Sequence, residues 1–440
     1  MNGVINWLLT NILDVPCIFM AIIAAVGMIL QRKKVPEIIE AALLTSVGYA
    51  IFNASLNLIF GPMTAFNSIL QTAFNVSAGV TPNSDAMVTV AYTFTYIAAN
   101  IMQIFIIAWL IHVMIVKIFH KYVKVVYLTV HAMLDWVAIN VVFWHLAVGF
   151  SGIKLYVASI ICCVLYWTLT PMLVYKECME LTDGAYALGH LQSVGCWIVS
   201  KVSHIFGDPE KDDAEALKLP DWIQMFSSST LNLAISMPVI FILIALVSLI
   251  VGNAETVAAV NEVTGNMSFV AYFFVSGIQF AGGVTILLTG IRMFLGSLIP
   301  AFQGFSEKMI PGCVPAVDLA AFFSIAPTAA LLGFIGYAIG GILVAAGCLM
   351  FKTTIFVFPF ILVSFFDGGV LAVFANHKGG WKASLVCGFI AGIFAFIGSG
   401  IYAALIPEVA ASGTTCSNID PAIIMTIMGI AVLKLKSFLG

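Results

Sequence analysis

The chain has 440 residues, 62% of them hydrophobic and only 9% charged, with a mean hydropathy of +1.09. That leaves too little polar surface to cover a water-soluble globule, so the composition points to a polytopic, all-α membrane protein. A formal net charge of −3 gives no basic footprint for nucleic acid, and nine scattered cysteines follow no CxxC or Cys/His spacing, so no nucleic acid, metal or cofactor is expected.

A helix crosses the hydrocarbon with about 20 apolar residues, and the sequence offers about eleven such runs. They are 14–30, 36–60, 97–118, 125–148, 154–175, 229–252, 268–291, 327–350, 354–375, 383–407 and 420–437. The first run lacks a signal-peptide cleavage site and is expected to be retained. Lys and Arg mark the cytoplasmic side. Arg32, Lys33 and Lys34 form one cluster, Lys117, Lys121 and Lys124 another, with no Lys or Arg between 35 and 116. A second void runs from 219 to 291. This places the amino terminus outside and the carboxyl end, with Lys434 and Lys436, inside. Lys154 and Lys352 then fall on the outer side as exceptions.

Two apolar stretches do not read as simple crossings. Residues 63–96 carry Gly, Pro and Asn at short intervals, and 314–326 are cut off by Pro327. Broken helices persist at membrane depth only where protein or a wet cavity covers them, as in transporter binding sites. Sliding the chain by 187 residues lays KYVKVVYLTVH (121–131) on KMIPGCVPAVD (308–318), setting His131 opposite Asp318 and His190 opposite His377. We read this as a duplicated half whose relative direction stays open. The expected organisation is one membrane domain over 1–440: a first half to about 200, a cytoplasmic stretch near 176–228, and a second half from about 229. The acidic run 208–221 is either a solvated loop or a docking surface.

Ionisable groups within spans are costly and normally face a bundle interior or a wet cavity. His131 and Asp135 lie one turn apart on one helix face, fitting either a self-satisfied pair or a ligand site. Asp318 stands beside the Pro327 break and could cap it or accept hydrogen bonds from a ligand hydroxyl. His190 and Gln192 in ALGHLQ suit hydroxyl recognition, whereas His377 in FANHKGGW reads as a turn. Asn53, in the second span, can glue helices or contact ligand. Gly336 with Gly340, and Gly388 with Gly392, read as packing positions. No phosphate loop is visible, which argues against a self-powered pump.

LTVHAM (128–133), LTDGAYALGHLQ (181–192), LKLPDW (217–222), GIRMF (290–294), AFQGFSEKMIPG (301–312), AVDLAAFFSIAPTA (316–329) and FANHKGGW (374–381) together resemble the ascorbate-type enzyme IIC of the bacterial phosphotransferase system. The resemblance implies a homodimeric, eleven-span permease of the bacterial inner membrane, each protomer with a substrate-carrying core and a scaffold. It implies a sugar-like substrate, ascorbate or a related sugar or polyol, phosphorylated on the cytoplasmic side by a phosphocysteine of a separate IIB protein charged by IIA. No IIA- or IIB-like segment occurs in the 440 residues, so both are expected in trans. By motif position His131, His190 and Asp318 match substrate contacts of the family, with Asp318 also the candidate to deprotonate the substrate hydroxyl. Asp135, Leu191 and Asn53 stand where ascorbate-type members carry Gln. The alternative is a secondary transporter or facilitator using Asp135 or Asp318 as proton carrier.

Overall fold

In a computed structural model the described residues are 15–74, 79–217, 229–309, 312–351 and 353–439. In chain order they form α1 (Pro16–Leu30), α2 (Val35–Phe74), β1 (Gly79–Pro82), α3 (Ser84–Thr93), α4 (Thr95–Ile118), β2 (Val125–Tyr127), α5 (Val130–Val142), α6 (Gly152–Leu173), α7 (Tyr175–Leu181), β3 (Ala187–Leu188) and α8 (Ser193–Val202). The series continues with α9 (Ser229–Val251), α10 (Ala254–Thr264), α11 (Phe269–Met309), β4 (Val314–Val317), α12 (Pro327–Phe351), β5 (Phe356–Val357), α13 (Ile361–Leu405), α14 (Pro407–Ala411), β6 (Thr414–Thr415) and α15 (Ile419–Leu439). Among the described residues, 152–173, 327–348 and 363–405 are long and apolar enough to cross a membrane.

The chain divides into two compact units, the first holding described residues 15–74 and 229–309, the second 79–217 and 312–439. The first is helical: α11 lies along α1, α2 and α9. Gly277 lets α11 rest directly on the backbone of α9 at Pro238. α10 starts with a full capping box, in which Asn253 accepts from the Glu255 and Thr256 N–H groups and Thr256 returns a bond to the Asn253 N–H.

In the second unit α12 lies against α13. Gly336 and Gly340 meet the backbone of Leu385 and Phe389, and Gly388 and Gly392 meet Gly333 and Tyr337, so these glycines are packing positions as their spacing implied. Two three-stranded parallel sheets complete the unit, so the fold is mostly helical and not purely α. One sheet has the order β5-β1-β6, the other β2-β4-β3. The first half of the chain thus lends its β1 to the centre of a sheet edged by β5 and β6, and the second half lends β4 to the centre of a sheet edged by β2 and β3. This reciprocal exchange matches β1 with β4, β2 with β5 and β3 with β6.

The exchange revises the repeat expected at 187 residues. That offset laid β2 on β4, which are hydrogen-bonded neighbours with Val125 opposite Val314, not equivalent elements of two halves. The exchange instead aligns Gly79 with Val314. Other expectations shift as well. The run 125–148 is a strand, a helix ending at Val142 and a π turn at Phe143–Ala147, not one span. The runs 36–60 and 268–291 sit in helices that continue to Phe74 and Met309. The runs 354–375 and 383–407 share α13, which breaks at Gly380, where φ is 73°. Within 176–228, the described residues 176–217 fold into α7, which begins at Tyr175, then β3, α8 and short 3-10 turns instead of a loop.

Candidate functional site

Sheet β2-β4-β3 delivers three side chains to one place, just beyond the carboxyl ends of its strands, where parallel sheets present ligands. β2 ends at Tyr127; the Leu128 N–H then donates to the Ala316 carbonyl (3.2 Å), and α5 begins so that His131 is its second residue. β4 ends at Val317, and Asp318 caps a 3-10 turn, its Oδ1 accepting from the Ala320 N–H at 3.1 Å. β3 ends at Leu188, and the Gly189 N–H donates to the Val317 carbonyl at 2.7 Å. Gly189 has no room for a side chain, since a Cβ there would lie 2.6 Å from the Ala316 oxygen. His190 follows at once.

His131 Nε2 lies 3.1 Å from Asp318 Oδ2, and the His131 and His190 rings are 5.6 Å apart. One ligand atom from each of His131, His190 and Asp318 falls within 4.8 Å of the other two. His131 is the open member, with 27% of its side chain exposed, while Asp318 and His190 are buried. No hydrogen bond holds His190 Nδ1. A buried polar atom left unpaired costs ~1–3 kcal/mol, so any ligand that reached this nitrogen would gain by pairing it. Asp318 is half structural, its Oδ1 spent on the turn and its Oδ2 turned to His131.

The other expected residues are placed differently. Asp135 is buried one turn beyond His131, engaged in interactions of its own and outside the three-residue cluster. Gln192 is buried; its Oε1 accepts from the Ile419 N–H at 3.3 Å, and its side-chain amide lies beside Asp367. Asn53 belongs to the other compact unit, in α2, and its side chain lies outside the described residues.

Two buried carboxylates escaped the sequence reading. Asp420 accepts from the Tyr166 hydroxyl (2.6 Å) and from the Val194 and Gly195 N–H groups (2.9 Å each), closing the amino end of α8. Asp367 accepts from the Tyr337 hydroxyl (3.0 Å) and Asn418 Nδ2 (2.9 Å). The signal was present, an acid inside an apolar run, the same one that singled out Asp318. Beyond the carboxyl ends of β1 and β6, Ser84 and Ser417 bond reciprocally, each hydroxyl oxygen accepting the other's N–H at 3.0 Å.

The acidic run proves to be a strap. Asp212 Oδ1 accepts from Lys382 (2.9 Å), its carbonyl accepts from the Trp381 N–H (2.7 Å), and Asp213 accepts from Asn376 (2.8 Å). Glu215 accepts from the Thr328 N–H (2.8 Å), the Thr328 hydroxyl (2.9 Å) and the Ala329 N–H (3.0 Å), satisfying the amino end of α12. The Lys382 ammonium holds the Asp212 carboxyl below its ordinary range, and Lys378 with His377 pulls Glu180 down to about 2. His377 is thereby tied to α7, with Nε2 3.0 Å from Glu180. Asp221 lies outside the described residues.

The family model for the PTS system sugar-specific permease component, EIIC-GAT, matches residues 11–420. The ascorbate-specific PTS system EIIC component of Mycoplasma pneumoniae is 30% identical over 253 residues, which cover 53% of this chain and 38% of that protein. The match thus spans well under half the length of that relative. With nearly the whole chain under the family model, this membrane protein belongs to the EIIC-GAT family of PTS sugar-specific permease components.

Proposed function

We propose that the chain binds a small polyhydroxylated, sugar-like substrate at His131, His190 and Asp318 and translocates it with phosphorylation by a phosphorylated IIB protein. The partners IIB and IIA act in trans, and the permease works as a homodimer in the bacterial inner membrane with its amino terminus outside. The observation that carries the reading is the convergence of two imidazoles and one carboxylate beyond three parallel strands, with His190 Nδ1 unpaired. Such a set offers hydroxyl groups both donors and acceptors. In the transfer step the substrate hydroxyl gives its proton to Asp318 Oδ2, its oxygen attacks phosphorus, and the P–S bond of the IIB phosphocysteine breaks with the sulfur leaving as thiolate. His131, 3.1 Å from that oxygen, can take up the proton in turn.

The relative's name specifies ascorbate, and ascorbate is the first substrate to test here. The experiment measures uptake and phosphorylation of labelled ascorbate, sugars and polyols in cells with and without the cognate IIB. We expect one compound to accumulate as its phosphate only when IIB is present, and Asp318→Asn to lose that product while the protein stays folded. Accumulation of unmodified substrate without IIB would replace this reading by secondary transport.

A further inference from the structure

The same three side chains form a donor set that no sequence spacing announced. His131, His190 and Asp318 come from three separate segments, and their ligand atoms gather within 4.8 Å. Two imidazoles and a carboxylate are the ligands of three-coordinate zinc sites that keep a fourth position open. Ligand bonds of about 2.0–2.2 Å place donor atoms roughly 3.4 Å apart around a tetrahedral ion. His131 Nε2 and Asp318 Oδ2 already stand 3.1 Å apart, and a His190 ring nitrogen lies within 4.8 Å of the donor atoms of both.

Two further observations favour a cation. His190 is buried at 7% exposure, yet its Nδ1 has no hydrogen-bond partner, and one of its ring nitrogens lies within 4.8 Å of the His131 and Asp318 donor atoms. Asp318 is held in orientation by the Ala320 N–H on its other oxygen, the outer-shell support typical of ligating carboxylates. His131, with 27% of its side chain exposed, is the member of the set that solvent reaches.

We propose that this cluster is also a binding site for a divalent transition metal of the zinc class, which occupies the site in place of the sugar-like substrate. Hard cations are excluded, because Mg2+ and Ca2+ require six or more ligands, chiefly oxygen, and the cluster supplies one carboxylate. Binding of the ion to the resting protein stands apart from the transport reading, whereas its competition with substrate rests on that reading.

The test uses the full chain, purified in detergent, freed of any affinity tag and stripped of metal. Calorimetric titration with Zn2+ should show one saturable site per chain and no binding of Mg2+ or Ca2+. His190→Gln and Asp318→Asn should each weaken zinc binding by at least the ~10–100-fold that loss of a mere outer-shell partner costs. Melting curves without metal are the check that both variants are folded. His131→Gln serves as the third ligand test should either fail to fold. Co2+ in place of Zn2+ should give the absorption of nitrogen and oxygen ligation without a thiolate band. Zinc should also raise the apparent dissociation constant of the substrate in proportion to its concentration. Absence of saturable zinc binding, unchanged binding in folded variants, or a thiolate band that moves the ion to the cysteines would overturn the proposal. Absence of zinc binding in a wild-type protein that still transports would overturn this proposal and leave the transport reading standing.

Discussion

Gly189→Ala tests how the sheet builds the site. The added methyl would sit 2.6 Å from the Ala316 oxygen and 2.8 Å from its Cβ, and both belong to the neighbouring strand. Carbon atoms rest at ~3.5 Å or more, so β3 and β4 must part by roughly 0.7 Å. Overpacking of that kind costs ~1–3 kcal/mol. The Gly189 to Val317 hydrogen bond, 2.7 Å long, would stretch with it and add about 1 kcal/mol. His190 follows Gly189 directly, so the same shift carries its ring away from His131 and Asp318, and a misplacement of ~1 Å at a site can cost about a hundredfold in activity. The assays are thermal unfolding in detergent and substrate binding, run beside Gly282→Ala. Gly282 has nothing within 4 Å of a new Cβ and serves as the harmless control. We expect Gly189→Ala to melt lower and bind substrate at least tenfold more weakly, with Gly282→Ala unchanged or slightly more stable. Wild-type binding and melting in Gly189→Ala would refute the idea that the strand contact sets the position of His190.

Three further outcomes follow from the strap and its anchors. Glu215→Ala should cost about 1 kcal/mol, the usual worth of a helix cap, and speed hydrogen exchange in the first turn of α12; with Thr328→Val added, the loss should be less than additive. Gly380→Ala should destabilise by more than ~1–3 kcal/mol, because φ is 73° there and a Cβ would collide with the Asp212 carbonyl; thermal unfolding reads this directly. Glu180 has its carboxyl pulled down to about 2 by Lys378 and His377, so its stabilisation exists above the ordinary carboxylate value near 4.3 and fades as pH falls toward 2. Melting temperatures of wild type and Glu180→Gln should therefore differ at pH 6, by a modest amount because the side chain is 36% exposed, and converge only as the pH reaches about 2.

His131 and Asp318 were legible as unusual residues because charge in an apolar run always is. Their contact was not legible, since it depends on β2 and β4 pairing across the length of the chain. The likeness of 121–131 to 308–318 was genuine, but two strands of one sheet share a buried pattern for the same reason two copies of a repeat do. The strands themselves, two to four residues long, are too short to carry an alternation that periodicity can detect. Asp135, one helical turn or about 5.4 Å along the axis from His131, is not among the three residues whose ligand atoms gather. The strap contacts were not legible for a related reason: charges such as Asp212 and Glu215 look solvated in sequence, and their partners Lys382 and Thr328 lie far along the chain.

The exchange of central strands has a consequence for biogenesis. β1 has no partner in its own half and must wait for β5 and β6, while β2 and β3 wait for β4. At synthesis rates of ~5–20 residues per second, the gap of about 270 residues between β1 and β5 amounts to roughly 15–55 s during which a strand end stands unpaired. Neither half can therefore finish its own sheet, and an arrested nascent chain is left with open edges that invite pairing with a second copy. Two separately expressed halves should each be captured by membrane quality control, yet rescue one another when made together, because each carries the strand the other lacks.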